Sequence, residues 1–200
     1  MLQAHIPHRQ YPGIVGFENI FTNKEIDLIN KYASSLPLQK GQTQGNMMGL
    51  AEDHKDNPKR SCEIKWIYPS EQNEWVLNKI IERMSDVNFK FFTMDLSSFE
   101  PIQYTIYNAP SDTYGAHTDL VVGASNVHRK LSFTIQLSDP SEYKGGDLKL
   151  YDIDLSKPQI ANKKKGSITF FYSHIFHEIT PVTSGTRLAL VGWFSGPPLK

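Results

Sequence analysis

The residues best suited to bind a metal ion in this 200-residue chain are His117 and Asp119, in the stretch YGAHTDL. On an extended strand, positions two apart point to the same face with Cα atoms roughly 6.5 to 7 Å apart. Their side chains can then converge on one ion with bonds of about 2.1 Å. A second pair with the same spacing, His54 and Asp56, lies in a glycine-containing stretch without hydrophobic periodicity, where a fixed ligand geometry is not expected. We therefore expect only the first pair to bind a metal.

A third ligand has to come from elsewhere, and His174 and His177 lie in a later stretch, FYSHIFHEITPV. Two histidines and one carboxylate on one side of an ion leave coordination positions open, as in non-haem Fe(II) oxygenases. Hydrolytic zinc sites use the same ligand types. The spacing thus chooses neither the metal nor the third ligand.

Arg187 is the residue that discriminates between these chemistries. In the stretch TRLALVGWF, strand alternation places Arg187 on the same side as Val191 and Trp193. An arginine that points into a barrel is costly unless it meets an anion. A dicarboxylate co-substrate would supply a planar, two-pronged partner for the guanidinium. Alternatively, Arg187 pairs with an internal Asp or Glu, or extends to the rim of the barrel.

Composition limits the classes of protein that the chain can represent. Its length and 39% hydrophobic content suit one well-packed domain. The 21 basic and 21 acidic residues cancel, which disfavours binding to nucleic acid or to an anionic membrane. Cys62 is the single cysteine, so an internal disulfide is ruled out. With no run of 18 apolar residues and no signal-peptide pattern at the start, we expect a soluble, cytoplasmic protein.

Two amphipathic helices are predicted in the first half of the chain. The first, in FTNKEIDLINKYASSL, is capped by Thr22 or Asn23, has Ile26 and Ile29 at helical spacing, and ends before Pro37. The second, in SEQNEWVLNKIIERMSDV, is capped by Ser70. Its predicted apolar side consists of Trp75, Leu77, Ile80, Ile81 and Met84.

Strands dominate the rest of the sequence. One is predicted at CEIKWIY, and from about residue 91 short alternating runs are separated by Gly, Pro, Asn and Asp. Eight further strands are predicted at FFTMDLSSF, PIQYTIYN, YGAHTDL, KLSFTIQLS, DLKLYD, GSITFFY, FHEITPV and TRLALVGWF. This pattern predicts a mainly β fold, a double sheet or barrel with the two helices packed outside.

From about residue 58 to its end, the sequence resembles the Fe(II)/2-oxoglutarate-dependent dioxygenases, specifically the PKHD-type hydroxylases of the prolyl 4-hydroxylase-like branch. The matching stretches are YNAPSDTYGAHTD, RKLSFTIQLSDPSEYKGGDLKLY and HEITPVTSGTRLALVGWF. The resemblance implies a double-stranded β-helix, or jelly roll, with supporting N-terminal helices. Residues 1–200 would form one domain, with helical support and a flap in 1–95 and the jelly-roll core in 96–196. The loop 41–60 would be the flap, poorly ordered without substrate.

The resemblance also assigns roles to single residues. It implies that His117, Asp119 and His177 bind Fe(II), because the H-E-[VI] pattern of the family selects His177 over His174. It implies that Arg187 binds the distal carboxylate of 2-oxoglutarate and that the Tyr107 hydroxyl helps to hold this co-substrate.

Two positions near the co-substrate depart from the family pattern. Gln136 replaces a second tyrosine of some animal members, although by alternation with Thr134 it still faces the pocket and can donate a hydrogen bond. Val191 replaces a threonine four residues after the arginine, so binding is expected to depend more heavily on Arg187. The positions that align with substrate contacts in prolyl hydroxylases are Arg60, Tyr114, Arg129 and Trp193.

The implied activity is the hydroxylation of an unactivated C–H bond, with Fe(II), 2-oxoglutarate and O2 consumed or bound and succinate and CO2 released. A prolyl residue of a protein or peptide is the first-choice substrate, another residue or a small metabolite is the alternative, and ascorbate is a further candidate ligand. A zinc hydrolase or a non-catalytic jelly-roll binding module would fit the strands and the triad. Neither explains why Tyr107 and Arg187 accompany the three ligands.

Overall fold

The computed structural model describes residues 12–42, 60–120 and 127–198 of the chain. His54, Asp56 and most of the predicted 41–60 flap lie outside the described residues. No helix in these three segments is long and apolar enough to cross a membrane.

The first helix, α1 (Asn23–Ser34), forms where its sequence predicts it. Thr22 is its N-cap: the Thr22 hydroxyl accepts a hydrogen bond from the Glu25 backbone N–H at 3.3 Å, and the Glu25 carboxylate accepts one from the Thr22 backbone N–H at 2.7 Å. This reciprocal pair satisfies two backbone donors that a helix start otherwise leaves unpaired. Ile26 and Ile29 are buried, which fixes the face of α1 that meets the core.

The second helix, α2 (Glu74–Val87), begins later than predicted and turns a different face inward. Ser70 is not its cap; Asn73 precedes the helix, and its side-chain oxygen accepts a hydrogen bond from the Ser70 backbone N–H. The prediction that Ile81 belongs to the buried side is wrong, since its side chain is 38% exposed. The buried residues of α2 are Val76, Leu77, Ile80, Met84 and Val87.

Short antiparallel strands form the rest of the described fold. Their bounds are β1 Ile14–Phe17, β2 Gln39–Lys40, β3 Arg60–Ser61, β4 Glu63–Ile67, β5 Ser98–Phe99, β6 Ile102–Asn108, β7 Thr113–His117, β8 His128–Gln136, β9 Tyr143–Gly145, β10 Leu148–Tyr151, β11 Gln159–Ile160, β12 Ile168–Tyr172, β13 Phe176–Ile179 and β14 Val182–Gly196.

The predicted strand FFTMDLSSF is mostly absent. Residues Asn88–Phe92 instead continue α2 as a π-helical turn, and Thr93 then adopts a left-handed conformation with φ 50°. The Asn88 side chain stabilises this exit, because it both accepts from the Met94 N–H and donates to the Met94 carbonyl, each at 2.8 Å. Only β5 remains extended in this stretch, so tertiary contacts override its local strand preference.

The strands form two sheets that face each other. Among the described residues, the larger sheet has the order β1-β12-β8-β14-β6-β4-β2, with β5 and β9 also paired to β14. The smaller sheet has the order β11-β10-β13-β7-β3. Two antiparallel sheets of this kind are the predicted jelly roll. Strands β1 to β4 precede residue 96 and join these sheets, so the first part of the chain contributes strands as well as helices.

Alternation along the larger sheet separates an apolar layer from a polar one. On β8, Leu131, Phe133 and Ile135 belong to the core that includes the buried residues of α1 and α2. Ser132, Thr134 and Gln136 alternate with them and are also buried. A second, smaller apolar cluster that includes Leu150, Phe171 and Ile179 lies between the sheets. Buried polar side chains thus point into the space between the sheets, where a site can form.

Candidate active site

The smaller sheet brings the predicted ligands together. His117 at the end of β7 is the direct cross-strand partner of His177 on β13, and their ring centroids are 4.2 Å apart. Asp119 lies just beyond β7, held by its backbone N–H, which donates to the Ser173 carbonyl at 2.9 Å. Its carboxylate oxygens lie 3.7 Å from His117 Nε2 and 3.5 Å from His177 Nε2. One ligand atom from each of the three residues lies within 4.8 Å of the others, a spacing that could hold a metal ion.

Both histidines are oriented by their second ring nitrogen. His117 Nδ1 lies 2.8 Å from the Gly115 carbonyl oxygen, and His177 Nδ1 lies 2.9 Å from the Ile175 carbonyl oxygen. A carbonyl can only accept, so each Nδ1 carries the proton. Each Nε2 is therefore left with a free lone pair that faces Asp119, as metal coordination requires.

The electrostatics of His117 and Asp119 favour the protonation states that bind a metal. Burial, together with the neighbouring His177, lowers the pKa of His117 to about 4, so its ring is neutral at neutral pH. Burial alone would raise the pKa of Asp119, but the two histidines, Ser132 and Trp193 outweigh it and lower that pKa below its ordinary value. Two neutral imidazoles and one carboxylate are the ligating forms.

His174 is not part of this cluster. Its side chain is exposed, and its ring stacks on Tyr172 with centroids 5.2 Å apart. The structure therefore places His177, and not His174, with the other two candidate ligands.

A cavity of about 450 Å³ opens between the sheets beside the triad. Its walls carry polar, aromatic and basic side chains. The lining residues include Trp66, Gln103, Thr105, Tyr107, Tyr114, His117, Asp119, Arg129, Thr134, Phe171, His177, Arg187, Val191 and Trp193, together with Arg60 and Gln42. A space of this size and lining is typical of a small-molecule site.

Arg187 is the most deeply buried cation of this cavity, with a side chain only 2% exposed. Its Nη2 donates to the Gln136 side-chain oxygen at 3.1 Å, and the Gln136 amide in turn donates to the Tyr143 hydroxyl at 2.6 Å. Within the described residues, no carboxylate lies within 4.0 Å of Arg187. A buried guanidinium with only neutral partners is costly and is stabilised by an anion from outside the chain.

Tyr107 lies beside Arg187 and lines the same cavity as the triad. It pairs directly with Arg187 across β6 and β14, and the guanidinium carbon lies 5.5 Å from the centre of its ring. The side chain is 3% exposed, and burial raises the pKa of its hydroxyl above the ordinary range. Tyr107 is thus a neutral phenol that can donate a hydrogen bond into the cavity.

Tyr114, Arg60, Arg129 and Trp193 line the remaining wall. The ring of Tyr114 stacks on His117 with centroids 3.6 Å apart, and the Arg60 guanidinium lies 4.6 Å from the centre of the Tyr114 ring. Arg129 lies 3.8 Å over the Trp193 ring and makes a two-pronged contact with Glu100, with distances of 2.7 and 2.6 Å. The structure brings all four predicted substrate positions into the lining of one cavity.

Comparison with known proteins connects this geometry to a family. Residues 102–195, which hold the triad, Tyr107 and Arg187, match the family model described as the 2OG-Fe(II) oxygenase superfamily. Over this stretch, just under half of the chain, the protein is similar to that superfamily.

Two PKHD-type hydroxylases are similar to this chain along different lengths. The chain is 27% identical to a PKHD-type hydroxylase of Crocosphaera subtropica over 184 residues, which cover 90% of this chain and 77% of that protein. It is 39% identical to a PKHD-type hydroxylase of Hyphomonas neptunium over 85 residues, 41% of this chain and 37% of that protein. The match thus spans little more than a third of the length of the more identical relative.

The fold is shared with a solved prolyl hydroxylase from Trichoplax adhaerens, in complex with a hypoxia inducible factor peptide fragment. The TM-score is 0.70 at 18% sequence identity, and the alignment covers 91% of this chain and 83% of that one. At this identity the likeness concerns the fold.

The residues of this site fit the Fe(II) that the matched superfamily implies. Asp119 Oδ2 is buried and has no hydrogen-bond partner among the described residues, which is costly unless a cation meets it. With the two free Nε2 lone pairs, it completes the donor set of two histidines and one carboxylate that non-haem Fe(II) oxygenases use. The superfamily likewise implies 2-oxoglutarate and O2.

Two features of the site were not anticipated from the sequence: the contacts of Gln136 and the role of Tyr143. Gln136 is buried beside Arg187 but is not among the residues that line the main cavity, so the structure gives it contact with the arginine rather than with the cavity itself. Tyr143, on β9, was not predicted at all. Its hydroxyl completes the hydrogen-bond chain from Arg187, yet only its position in the EYKGGD turn marks it in the sequence, and no spacing rule connects it to Arg187.

Proposed function

We propose that this protein is an Fe(II)- and 2-oxoglutarate-dependent dioxygenase that hydroxylates a prolyl residue of a protein or peptide. The proposal depends on one observation: two different binding sites line the same cavity. A two-histidine, one-carboxylate cluster lies at one place, and a buried arginine without a carboxylate partner among the described residues lies at another. Similarity to the oxygenase superfamily over residues 102–195 disfavours both the zinc hydrolase and the non-catalytic module.

The chain's own residues have distinct roles in this proposal. His117, Asp119 and His177 would hold Fe(II) through Nε2, a carboxylate oxygen and Nε2, respectively. When bound, Fe(II) with 2-oxoglutarate and O2 supplies the oxidation that converts a C–H bond to C–OH and releases succinate and CO2. Arg187 would pair with the distal carboxylate of 2-oxoglutarate, and its planar fork suits a two-pronged contact.

The neighbours of Arg187 would position the co-substrate. Tyr107 would donate its hydroxyl to the same dicarboxylate, while Thr134 and Val191 form the adjoining wall. Direct contact between Gln136 and the co-substrate remains a prediction from the sequence. We infer that Gln136 instead orients Arg187, because its amide oxygen accepts from the guanidinium and its amide nitrogen is held by Tyr143.

The opposite wall would bind the prolyl substrate. Tyr114 and Trp193 offer flat apolar surfaces in the lining of the cavity. Arg129 stacks on Trp193 and is itself neutralised by Glu100, which makes it a rigid part of this wall. A peptide-binding role is supported by the Trichoplax adhaerens prolyl hydroxylase, which was solved with a peptide fragment.

The decisive experiment is an assay of the protein reconstituted anaerobically with Fe(II) and then exposed to O2. We expect O2-dependent conversion of 2-oxoglutarate to succinate that increases with prolyl peptides, each gaining the mass of one oxygen. His117→Ala and Arg187→Ala should lose this conversion. If wild type gives no conversion, or if both variants retain it, the proposal is wrong.

Some narrower parts of the proposal need measurements of their own. Oxidation of another residue or of a small metabolite would appear as succinate formation without prolyl peptides but with host extract. Ascorbate binding and a cytoplasmic location remain predictions from the sequence. The absence of nucleic-acid and membrane partners is likewise expected from the balanced charge.

A further inference from the structure

The three arginines of the cavity differ in how their charge is compensated. Arg129 has a two-pronged carboxylate partner in Glu100. Arg187 has none among the described residues, and the distal carboxylate of 2-oxoglutarate would compensate it under the proposed function. Arg60 is the third, and the described part of the chain offers no carboxylate within 4.0 Å of it either.

Arg60 is fixed in place by neutral acceptors. Its Nε donates to Cys62 Sγ, its Nη1 to the Gln42 carbonyl and its Nη2 to the Gln103 side-chain oxygen, each at 3.0 Å. Burial raises the pKa of the Cys62 thiol, so the sulfur carries no compensating charge at neutral pH. A guanidinium has five N–H groups. Two remain, one on each terminal nitrogen, which is the number that a two-pronged contact with a carboxylate needs.

Arg60 lies where its uncompensated charge would meet the substrate rather than the co-substrate. Its guanidinium stacks over Tyr114, and Tyr114 stacks on His117, so Arg60 is separated from the triad by one aromatic ring. Arg187 lies on β14 beside Tyr107, with its own hydrogen-bond chain through Gln136. The cavity thus has two separate uncompensated cations, and 2-oxoglutarate would neutralise one of them.

The remaining charge has an energetic consequence. With Fe(II), Asp119, Arg187 and doubly charged 2-oxoglutarate in place, the formal charges of these four groups cancel, and Arg60 then leaves the site with one net positive charge. In a partly dehydrated cavity such a charge favours an anionic ligand far more than it would in water. A substrate without an anion would have to cover Arg60 and remove its water without replacing the lost interactions.

We propose that Arg60 is a carboxylate-recognition site, and that the substrate of this enzyme presents a carboxylate close to the C–H bond that is oxidised. This inference rests on the proposed function and narrows its substrate class to acidic peptides. Two sources offer the same chemistry: the side chain of an Asp or Glu near the target proline, and the terminal carboxylate of a chain that ends in proline.

The test uses short blocked peptides with one central proline and otherwise neutral residues. A single Asp is moved along the peptide, and each Asp peptide is compared with its Asn counterpart. A second set ends in proline with either a free carboxylate or an amide. Succinate formation gives kcat and KM for each peptide, and fluorescence anisotropy with Fe(II) and 2-oxoglutarate in the absence of O2 gives peptide affinity without turnover.

We expect one Asp position, or the free terminus, to raise kcat/KM at least about tenfold over its neutral counterpart, mainly through KM, since charged hydrogen bonds contribute about 1.5–3 kcal/mol. Arg60→Gln should abolish this ratio in both assays, whereas Arg60→Lys should keep part of it. Arg83→Gln is the matched control, because Arg83 is an exposed arginine that contacts Phe17 on another part of the surface. The control should keep the full ratio.

The outcomes separate the two proposals. Equal rates and affinities for acidic and neutral peptides in wild type, or the same ratio in wild type and Arg60→Gln, would overturn the role of Arg60 while leaving prolyl hydroxylation intact. Tight, Arg60-dependent binding of acidic peptides without any hydroxylation would support the carboxylate site and contradict the proposed reaction. Thermal unfolding of each variant, with and without Mn(II), checks that the fold and the metal cluster persist.

Discussion

His117 and His177 face each other as direct partners across two antiparallel strands, with their ring centroids 4.2 Å apart. Sixty positions separate them in the sequence, so this contact depends entirely on the register of β7 against β13. A shift of one residue would turn one ring to the opposite face of the sheet. The register of the smaller sheet is therefore what makes a metal site of two separate sequence motifs.

The first prediction concerns metal binding. Because one ligand atom from each of the three residues already lies within 4.8 Å of the others, Mn(II) or Fe(II) should stabilise the folded protein without a large rearrangement. At a concentration 100 times its Kd, the ion should add about 2.7 kcal/mol to the free energy of unfolding. Thermal unfolding, measured with and without the ion under anaerobic conditions, gives the shift in Tm.

Two histidine variants provide the comparison for this experiment. His177→Ala should lose the metal-induced rise in Tm, since it removes one of three ligands. His174→Ala should keep it, because His174 is exposed and lies outside the cluster. A rise in Tm of equal size in both variants would contradict the assignment of His177.

The second prediction concerns the co-substrate. Arg187→Lys keeps the positive charge but loses the planar fork, so it cannot make a two-pronged contact with a carboxylate. We expect the KM for 2-oxoglutarate to rise roughly 10- to 100-fold, as the loss of a charged hydrogen bond of about 1.5–3 kcal/mol implies. Succinate formation at varied 2-oxoglutarate concentrations measures this, with the exposed Arg83→Lys as the control. An unchanged KM would exclude Arg187 from co-substrate binding.

The third prediction concerns Tyr143 as a positioning residue. Tyr143→Phe removes the acceptor that holds the Gln136 amide, so Gln136 can rotate and present its NH2 group to the Arg187 guanidinium. We expect the KM for 2-oxoglutarate to rise several-fold while kcat and the peptide KM change little. The free energy of unfolding should fall by about 1 kcal/mol for the lost hydrogen bond.

A matched substitution and a double variant separate positioning from simple destabilisation. Tyr151→Phe also removes one hydroxyl, whose hydrogen bond to Glu178 lies on the smaller sheet. It should leave the KM for 2-oxoglutarate unchanged. In a double-mutant cycle, Tyr143→Phe and Arg187→Lys should be non-additive in KM, because both act through one hydrogen-bond chain. Additive effects would show that Tyr143 does not act through Arg187.

The fourth prediction concerns pH and the single cysteine. Burial raises the pKa of Cys62 above its ordinary value of 9.0, although Arg60 partly counteracts this rise. Only the thiolate reacts with iodoacetamide. At pH 8 the folded protein should therefore be alkylated at least about ten times more slowly than the urea-unfolded protein, and the rate should increase as the pH rises above 9. Mass spectrometry counts one modified site. Equal rates in folded and unfolded protein would mean that Cys62 is accessible and unperturbed.

Local patterns in the sequence determined a large part of this fold. The capping box at Thr22 and the apolar spacing of α1 act within a few residues of chain, so the helix was predictable. Strand alternation likewise placed Arg187, Val191 and Trp193 on one face of β14, and all three line the cavity. Ligand chemistry limited the triad to His117, Asp119 and one of two histidines before any coordinates were considered.

Only the tertiary structure decided which of these groups meet and which charges remain uncompensated. The π-helical turn after α2, the Tyr143–Gln136–Arg187 chain and the Glu100 partner of Arg129 all depend on packing between segments far apart in sequence. Periodicity reports which face a side chain takes, but it contains no information on the register between distant strands or on the neighbours a buried charge finds. For that reason the sequence predicted ligand-binding roles for Arg60, Arg129 and Arg187 without distinguishing them. The structure showed that Arg129 pairs with Glu100, whereas Arg60 and Arg187 have no carboxylate partner among the described residues.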